Sequence, residues 1–228
     1  MPYAIRIHQT GGPEVMRREQ VQVGKPGPGQ VLVRNTAIGL NFVDTYYRSG
    51  LYAVALPAIL GSEGAGVVEA VGPRVRDFKP GDRVAYVDPM GAYTDLLLRP
   101  AQRLVKIPAG VSDKSAAAMM LKGLTAHYLL HRTYKVKKGD TILVYAAAGG
   151  VGQILCQWAK YLGAKVIGTV GSEAKVPLAR KAGCKQVLVS ARDNIPERVK
   201  QLTKGVGVPV VYDSIGKDTF MDSLDCLA

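Results

Sequence analysis

Cysteine, tryptophan, phenylalanine and histidine are all scarce here: 3, 1, 3 and 3 residues in a chain of 228. The shortage of cysteine removes two classes of answer. Cys156, Cys184 and Cys226 stand far apart with no paired spacing, which argues against a disulfide framework and a thiolate zinc cage. A reducing, cytoplasmic setting fits best. The start, Met1-Pro2-Tyr3-Ala4-Ile5-Arg6, lacks the positive opening and apolar block of a secretory signal. Long apolar runs are missing as well. The uncharged stretch Thr141 to Ala159 is interrupted by Gly149, Gly150 and Gly152, and Gln153 and Gln157 follow at helical spacing, so it is not read as a membrane span. The 26 glycines and 13 prolines keep no fixed period. This excludes a repeat architecture and indicates short elements joined by tight turns.

Acidic residues are few beside basic ones, 18 against 30, for a net charge of +12. That balance favours anionic partners, either nucleic acid or a phosphorylated small molecule. The charge is scattered, however. The densest basic stretch, Arg132 to Lys138, interleaves Thr133, Tyr134 and Val136 and ends in Gly139-Asp140, which reads as solvated loop rather than as a polyanion track. Hydrophobic residues at 47% and charged residues at 21% describe a folded globular chain, of a length for one large domain or two small ones.

From Pro2 to about Lys106 the pattern is short β-type runs between turn signals: Gln30–Thr36, Gly66–Val71, Arg83–Val87 and Tyr93–Leu98. Ser112 or Asp113 can cap a helix through Ala116–Leu121, and a second helical run is expected from Leu124 to about Tyr134. After Gly139-Asp140 the pattern alternates strand and helix. Strands are expected at 141–145, 165–170, 186–190 and 208–213, with helices at 151–162, about 173–182, 196–203 and from 219 onward. Such alternation means a parallel sheet. The fold class is therefore α/β, a β-rich domain over residues 1–123 followed by a Rossmann-type parallel sheet with flanking helices over 124–228. Four strands are counted where that fold has six, so the sheet is expected to be incomplete and the chain to be shortened at its C-terminus.

The strand Thr141–Tyr145 runs into Ala146-Ala147-Ala148-Gly149-Gly150-Val151-Gly152 and then into a helix. This is a G-x-G-x-x-G pattern with Ala147 in the first glycine position, Gly149 in the second and Gly152 in the third. Gly149 lets backbone approach a pyrophosphate, Gly152 lets the helix pack close on the strand, and the helix start offers free N–H groups. Placed between strand and helix, the string indicates dinucleotide binding. An NAD site usually carries Asp or Glu at the tip of the next strand. Here that tip reads Thr169-Val170-Gly171-Ser172-Glu173-Ala174-Lys175. Ser172 can donate to a 2′-phosphate and Lys175 can neutralise it, so NADPH is the expected cofactor. Glu173 is read as a helix N-terminal dipole partner. The expected contacts are Ala148, Gly149, Gly150, Val151, Gly152, Gly171, Ser172 and Lys175.

Several further strings occur in one order: Gly39-Leu40-Asn41-Phe42-Val43-Asp44, Arg48-Ser49-Gly50-Leu51-Tyr52, Gly61-Ser62-Glu63-Gly64-Ala65-Gly66, Lys122-Gly123-Leu124-Thr125-Ala126, the alanine-glycine loop, and Val211-Tyr212-Asp213-Ser214. Together they resemble the zinc-independent, zeta-crystallin-like quinone oxidoreductases of the medium-chain dehydrogenase/reductase superfamily. The resemblance implies a GroES-like catalytic domain before the Rossmann domain, with the active site in the cleft between them. It implies that Asn41, Tyr46, Tyr52 and Thr125 line the nicotinamide and acceptor pocket, and that Ser214 joins the cofactor contacts. It leaves open whether Lys122 touches cofactor or ends a helix. Zinc-containing relatives carry Cys where Asn41 stands and His where Ser62 stands, and His8, His127 and His131 share no ligand spacing with a cysteine, so no metal is expected. Members of the family can carry a tyrosine where this chain has Ser190, and Arg192 is a candidate for supplying charge there.

The expected activity is NADPH-dependent reduction of a quinone or enone by direct hydride transfer without zinc. The competing expectation is a shortened, non-catalytic chain that binds nucleotide or RNA. A homodimer is implied for full-length members of the family and is in doubt for a shortened chain; no membrane partner is expected.

Overall fold

In the computed structural model, which describes residues 1–228, the chain divides into two units, Met1–Leu121 and Lys122–Ala228. The first is mainly antiparallel sheet. Strands β1 (Tyr3–Ile7), β2 (Arg17–Gln20), β3 (Gln30–Gly39), β4 (Ala58–Ile59), β5 (Glu63–Val71), β6 (Arg83–Val87), β7 (Leu96–Pro100) and β8 (Leu104–Lys106) are joined by helix α1 (Phe42–Ser49). They form a three-stranded sheet, β2-β1-β4, and a five-stranded sheet, β7-β3-β5-β6-β8.

Alternation along β3 explains its burial: Val31 and Val33 face a core with Val68, Val84, Tyr86 and Leu97, while the intervening side chains look away. β3 and β5 lie very close at one point. A Cβ on Gly66 would stand 2.1 Å from the Arg34 carbonyl oxygen, so only glycine fits.

Helix α2 (Asp113–Tyr128) carries the chain from the first unit into the second. Ser112 caps it by accepting from the Ser115 N–H at 3.1 Å. Asp113 instead accepts from Arg83 and from the Thr36 hydroxyl, which hold its carboxyl below the usual range. Two helices were expected across this region. The helix in fact passes through Gly123 without a break and relaxes into a π-turn over Leu129–Thr133. Gly123 is buried, and packing there outweighs its propensity cost of about 1 kcal/mol.

The second unit alternates β9 (Thr141–Val144), α3 (Gly150–Tyr161), β10 (Lys165–Val170), α4 (Val176–Lys181), β11 (Gln186–Val189), α5 (Ile195–Leu202), β12 (Val211–Tyr212) and α6 (Phe220–Asp225). All four strands are parallel, in the order β11-β10-β9-β12. Ile142 and Val144 belong to one core with Leu155, Cys156 and Ala159 of α3. Leu143 and Tyr145 belong to another with Ile195, Val199 and Cys226. A sheet covered on both faces accounts for the near-continuous apolar strands. The fourth strand is shorter than the 208–213 expected. Pro209 has no N–H for a ladder, and Val208 bridges instead to Leu227. No helix is long and apolar enough to cross a membrane.

Candidate functional site

In the second unit, the turn between β9 and α3 is tightly fixed by its own hydrogen bonds and by the packing of α3. Ala146 has a left-handed backbone, φ +48°, held by the Gly149 N–H donating to its carbonyl at 2.8 Å. The Ala147 N–H donates to Thr169 of β10 at 2.9 Å, fixing the loop to the next strand. The Gln153 amide donates to the Ala148 carbonyl at 2.9 Å. A Cβ on Gly152 would lie 2.3 Å from the Ala146 oxygen and 2.9 Å from the Ala147 Cα. Both are backbone atoms that cannot step aside, so α3 presses against the loop as the third glycine position demands. The start of α3 then presents its N–H groups and positive dipole end beside this loop.

Two clefts flank the loop. One, of about 300 Å³, is lined by Ala148, Gly149, Gly171, Lys175 and Ser190 among others. The second, of about 330 Å³, collects Thr125, Val151, Gly152 and Ser214 with Tyr145 and Asp213. Of the nucleotide contacts expected from sequence, Ser172 lies outside both linings, an exposed residue preceding a short 3-10 turn over Glu173–Lys175. Gly150 also lies outside them, and Lys122 packs beside it: a Cβ on Gly150 would stand 2.9 Å from the Lys122 Cε. Since α2 continues six residues beyond Lys122, this lysine does not end a helix, and its aliphatic stem lies over the start of α3. Arg192 donates to Glu173 and, at 3.0 Å, to Asp193. Glu173 is thus matched by a cation at the strand tips.

Two residues here escaped the sequence reading. Asp213 accepts from the Ile215 and Gly216 N–H groups at 2.8 and 3.1 Å and from the Thr219 and Ser223 hydroxyls at 2.7 and 2.8 Å. Burial pushes its carboxyl up, but these four donors outweigh burial and hold it below the ordinary value. It shapes the turn that displays Ser214. Tyr145 is buried, and burial raises its pKa to about 12. A lone tyrosine at a strand end gave no signal of this.

In the first unit, Asn41, Asp44, Ser62 and Glu63 are buried together. The Asn41 side-chain amide donates to Glu63 Oε1 at 2.9 Å, and Glu63 Oε2 accepts from the Leu121 N–H at 2.7 Å. Asp44 accepts from the Ser62 hydroxyl at 2.6 Å, the Tyr93 hydroxyl at 2.8 Å and the Asn41 N–H at 2.9 Å. Burial and the Asp44 carboxylate both push the Tyr93 phenol up. Around the same helix, the Tyr46 and Tyr52 rings lie 5.3 Å apart, with Phe42 and Tyr47 as their edge partners. Tyr52 is 46% exposed. This presents a flat aromatic surface beside buried polar groups. No group of three or more His, Cys, Asp and Glu side chains comes together in a way that would hold a metal ion.

Comparison with known proteins places these features in context. The alcohol dehydrogenase GroES-like domain family matches residues 27–109, and the zinc-binding dehydrogenase family matches residues 150–228. A quinone oxidoreductase of Pseudomonas aeruginosa is 55% identical over 230 residues, covering 100% of this chain and 71% of that protein. A 2-haloacrylate reductase of a Burkholderia species is 52% identical, covering 100% of this chain and 70% of that protein. The crystal structure of Escherichia coli quinone oxidoreductase complexed with NADPH superposes with a TM-score of 0.97 at 48% identity, over 99% of this chain and 70% of that one.

Proposed function

Because the chain belongs to the quinone oxidoreductase family of the medium-chain dehydrogenase/reductase superfamily, we propose that it reduces a quinone or activated enone by direct hydride transfer from NADPH without zinc. The observation that carries the cofactor half is the fit of the second unit's loop to a dinucleotide phosphate. At Gly152 a side chain would strike the backbone oxygen of Ala146 at 2.3 Å, so α3 is held where its first N–H groups can receive a pyrophosphate.

NADPH is the cofactor, and when bound it supplies the hydride. Ala148 to Gly152 would hold its pyrophosphate. Lys175 and Ser172, with Gly171 leaving the approach open, would hold the 2′-phosphate through charge and a hydroxyl donor. Arg192, whose charge is shared with Glu173 and Asp193, is available to the same group. Thr125 and Ser214, which line one cleft, would position the nicotinamide half.

Tyr46 and Tyr52 would stack against a flat acceptor, and Asn41 would orient a carbonyl oxygen while its amide stays tied to Glu63. Support for zinc independence comes from commitments already made. The two positions at which zinc-dependent relatives place ligands are here Asn41 and Ser62, and both donate to buried carboxylates. Without a Lewis acid the acceptor must itself be electron-poor, as quinones and enones are. Fidelity to an enone would accord with the 52% identity to a 2-haloacrylate reductase, whose name specifies an activated alkene.

The test is turnover of a benzoquinone with NADPH and with NADH, each with and without a strong zinc chelator. Faster turnover with NADPH, untouched by chelator, is expected. Loss of turnover on chelation with recovery on added zinc would overturn the metal-free reading.

A further inference from the structure

The thiols of Cys156 and Cys184 lie 3.5 Å apart, sulfur to sulfur, and are hydrogen-bonded inside the second unit. They are separated by a helix, a strand and a second helix in sequence, so the contact is made by the fold alone. Cys156 sits on α3, one helical turn after Gly152 of the phosphate loop. Cys184 lies between α4 and β11. Cys184 also abuts that loop's floor: a Cβ on Gly168 of β10 would meet the Cys184 Sγ at 2.6 Å and the Ala147 Cβ at 2.8 Å. The glycine at 168 is thus what lets the cysteine and the loop alanine pack on one spot of the sheet. Cys226, the third cysteine, is buried in the other core.

We propose that Cys156 and Cys184 are a modification site, a thiol pair that a peroxide converts to a disulfide, and that this covalent change loosens the NADPH cradle above it. The chemistry balances in two steps. A Cys184 thiolate attacks one peroxide oxygen, the O–O bond breaks, and water leaves once the departing hydroxide takes a proton, giving a sulfenic acid. The Cys156 thiol then attacks that sulfur, the S–O bond breaks, and the thiol proton leaves with the hydroxide as a second water. Two thiols lose two electrons, which reduce one peroxide to two waters.

The surroundings favour attack by Cys184. The hydrogen bond it shares with Cys156 draws it below the ordinary thiol value against the effect of burial, and it keeps 6% exposure where Cys156 has none. That same hydrogen bond, with burial, pushes Cys156 up, so it enters as the resolving thiol. Closing the sulfurs to the bonded distance of about 2.05 Å draws α3 and the α4–β11 connection together. Close-packed cores transmit such shifts rather than absorb them. The start of α3, one turn away, is then pulled off the line its N–H groups need.

The effect on cofactor rests on the NADPH reading, but the disulfide does not, and one experiment separates them. The folded chain is treated with hydrogen peroxide, alkylated and digested, and its NADPH dissociation constant is measured before oxidation, after it, and after dithiothreitol. The expected result is a linked peptide pair containing Cys156 and Cys184, with the dissociation constant rising roughly threefold or more, as misaligned donors bind less well, and returning on reduction. Cys156→Ala and Cys184→Ala should each abolish both effects. No linked pair, linkage through Cys226, or a linked chain with unchanged NADPH affinity would overturn the proposal. A linked pair in a chain whose reduced form binds no NADPH would sustain the modification site and count against the function proposed above.

Discussion

The side-chain amide of Asn41 donates to the buried carboxylate of Glu63 across 2.9 Å, tying the entry of α1 to the first residue of β5. Because Glu63 also takes the Leu121 N–H, one carboxylate joins three elements of the first unit. Asn41→Asp would set a second carboxylate against it in a buried setting. Like charges there raise one carboxyl pKa above its unfolded value, so the protonated pair is stable below that value and stability is lost as pH rises. Thermal unfolding should place the variant well below wild type at neutral pH, with the gap narrowing toward about pH 5. A gap independent of pH would remove the charge argument.

Gly152→Ala places a methyl group on the Ala146 carbonyl. With both contacting atoms in the backbone, relief needs movement of α3 or the loop, and overpacking of this kind costs about 1–3 kcal/mol. A lower melting temperature should accompany weaker NADPH binding. Wild-type binding in a destabilised variant would detach the loop from cofactor recognition.

Lys175 lines the cleft beside Gly171 and Ser190. Lys175→Ala removes one charge-assisted contact to a phosphate, about 1.5–3 kcal/mol, so NADPH affinity should drop about tenfold or more while NADH affinity barely changes. Equal losses for the two nucleotides would refute 2′-phosphate recognition by this residue.

Asp213 is held below the ordinary carboxylate value by four donors acting against burial. A depressed folded pKa contributes stability above the unfolded value, and that contribution disappears as pH falls through the folded value. Melting temperatures followed from about pH 6 to about pH 3 should fall more steeply for wild type than for Asp213→Asn. Parallel curves would show that the carboxylate charge is not what the turn uses.

Much of this was legible in residues. The strand at 165–170, the glycine loop and the parallel order of the second unit follow from alternation, turn chemistry and apolar runs. Less legible was anything decided by packing. Gly123 reads as a break yet is buried inside α2. The run at 208–213 reads as a strand, yet only Val211–Tyr212 pairs. The site shows the same divide. Loop glycines announce themselves through spacing, whereas Asp44 collects Ser62 and Tyr93 from 18 and 49 residues away. Nothing local in sequence reports that convergence, nor the meeting of Cys156 with Cys184.

Transfer of deuterium tests the central claim most directly. NADPH carrying deuterium at the transferring position of its nicotinamide is mixed with the chain and an activated enone, and the reduced product is examined by mass spectrometry. Direct hydride transfer predicts one deuterium at the product's β-carbon and a slower reaction than with unlabelled NADPH. A product free of deuterium, formed at an unchanged rate, would contradict the account.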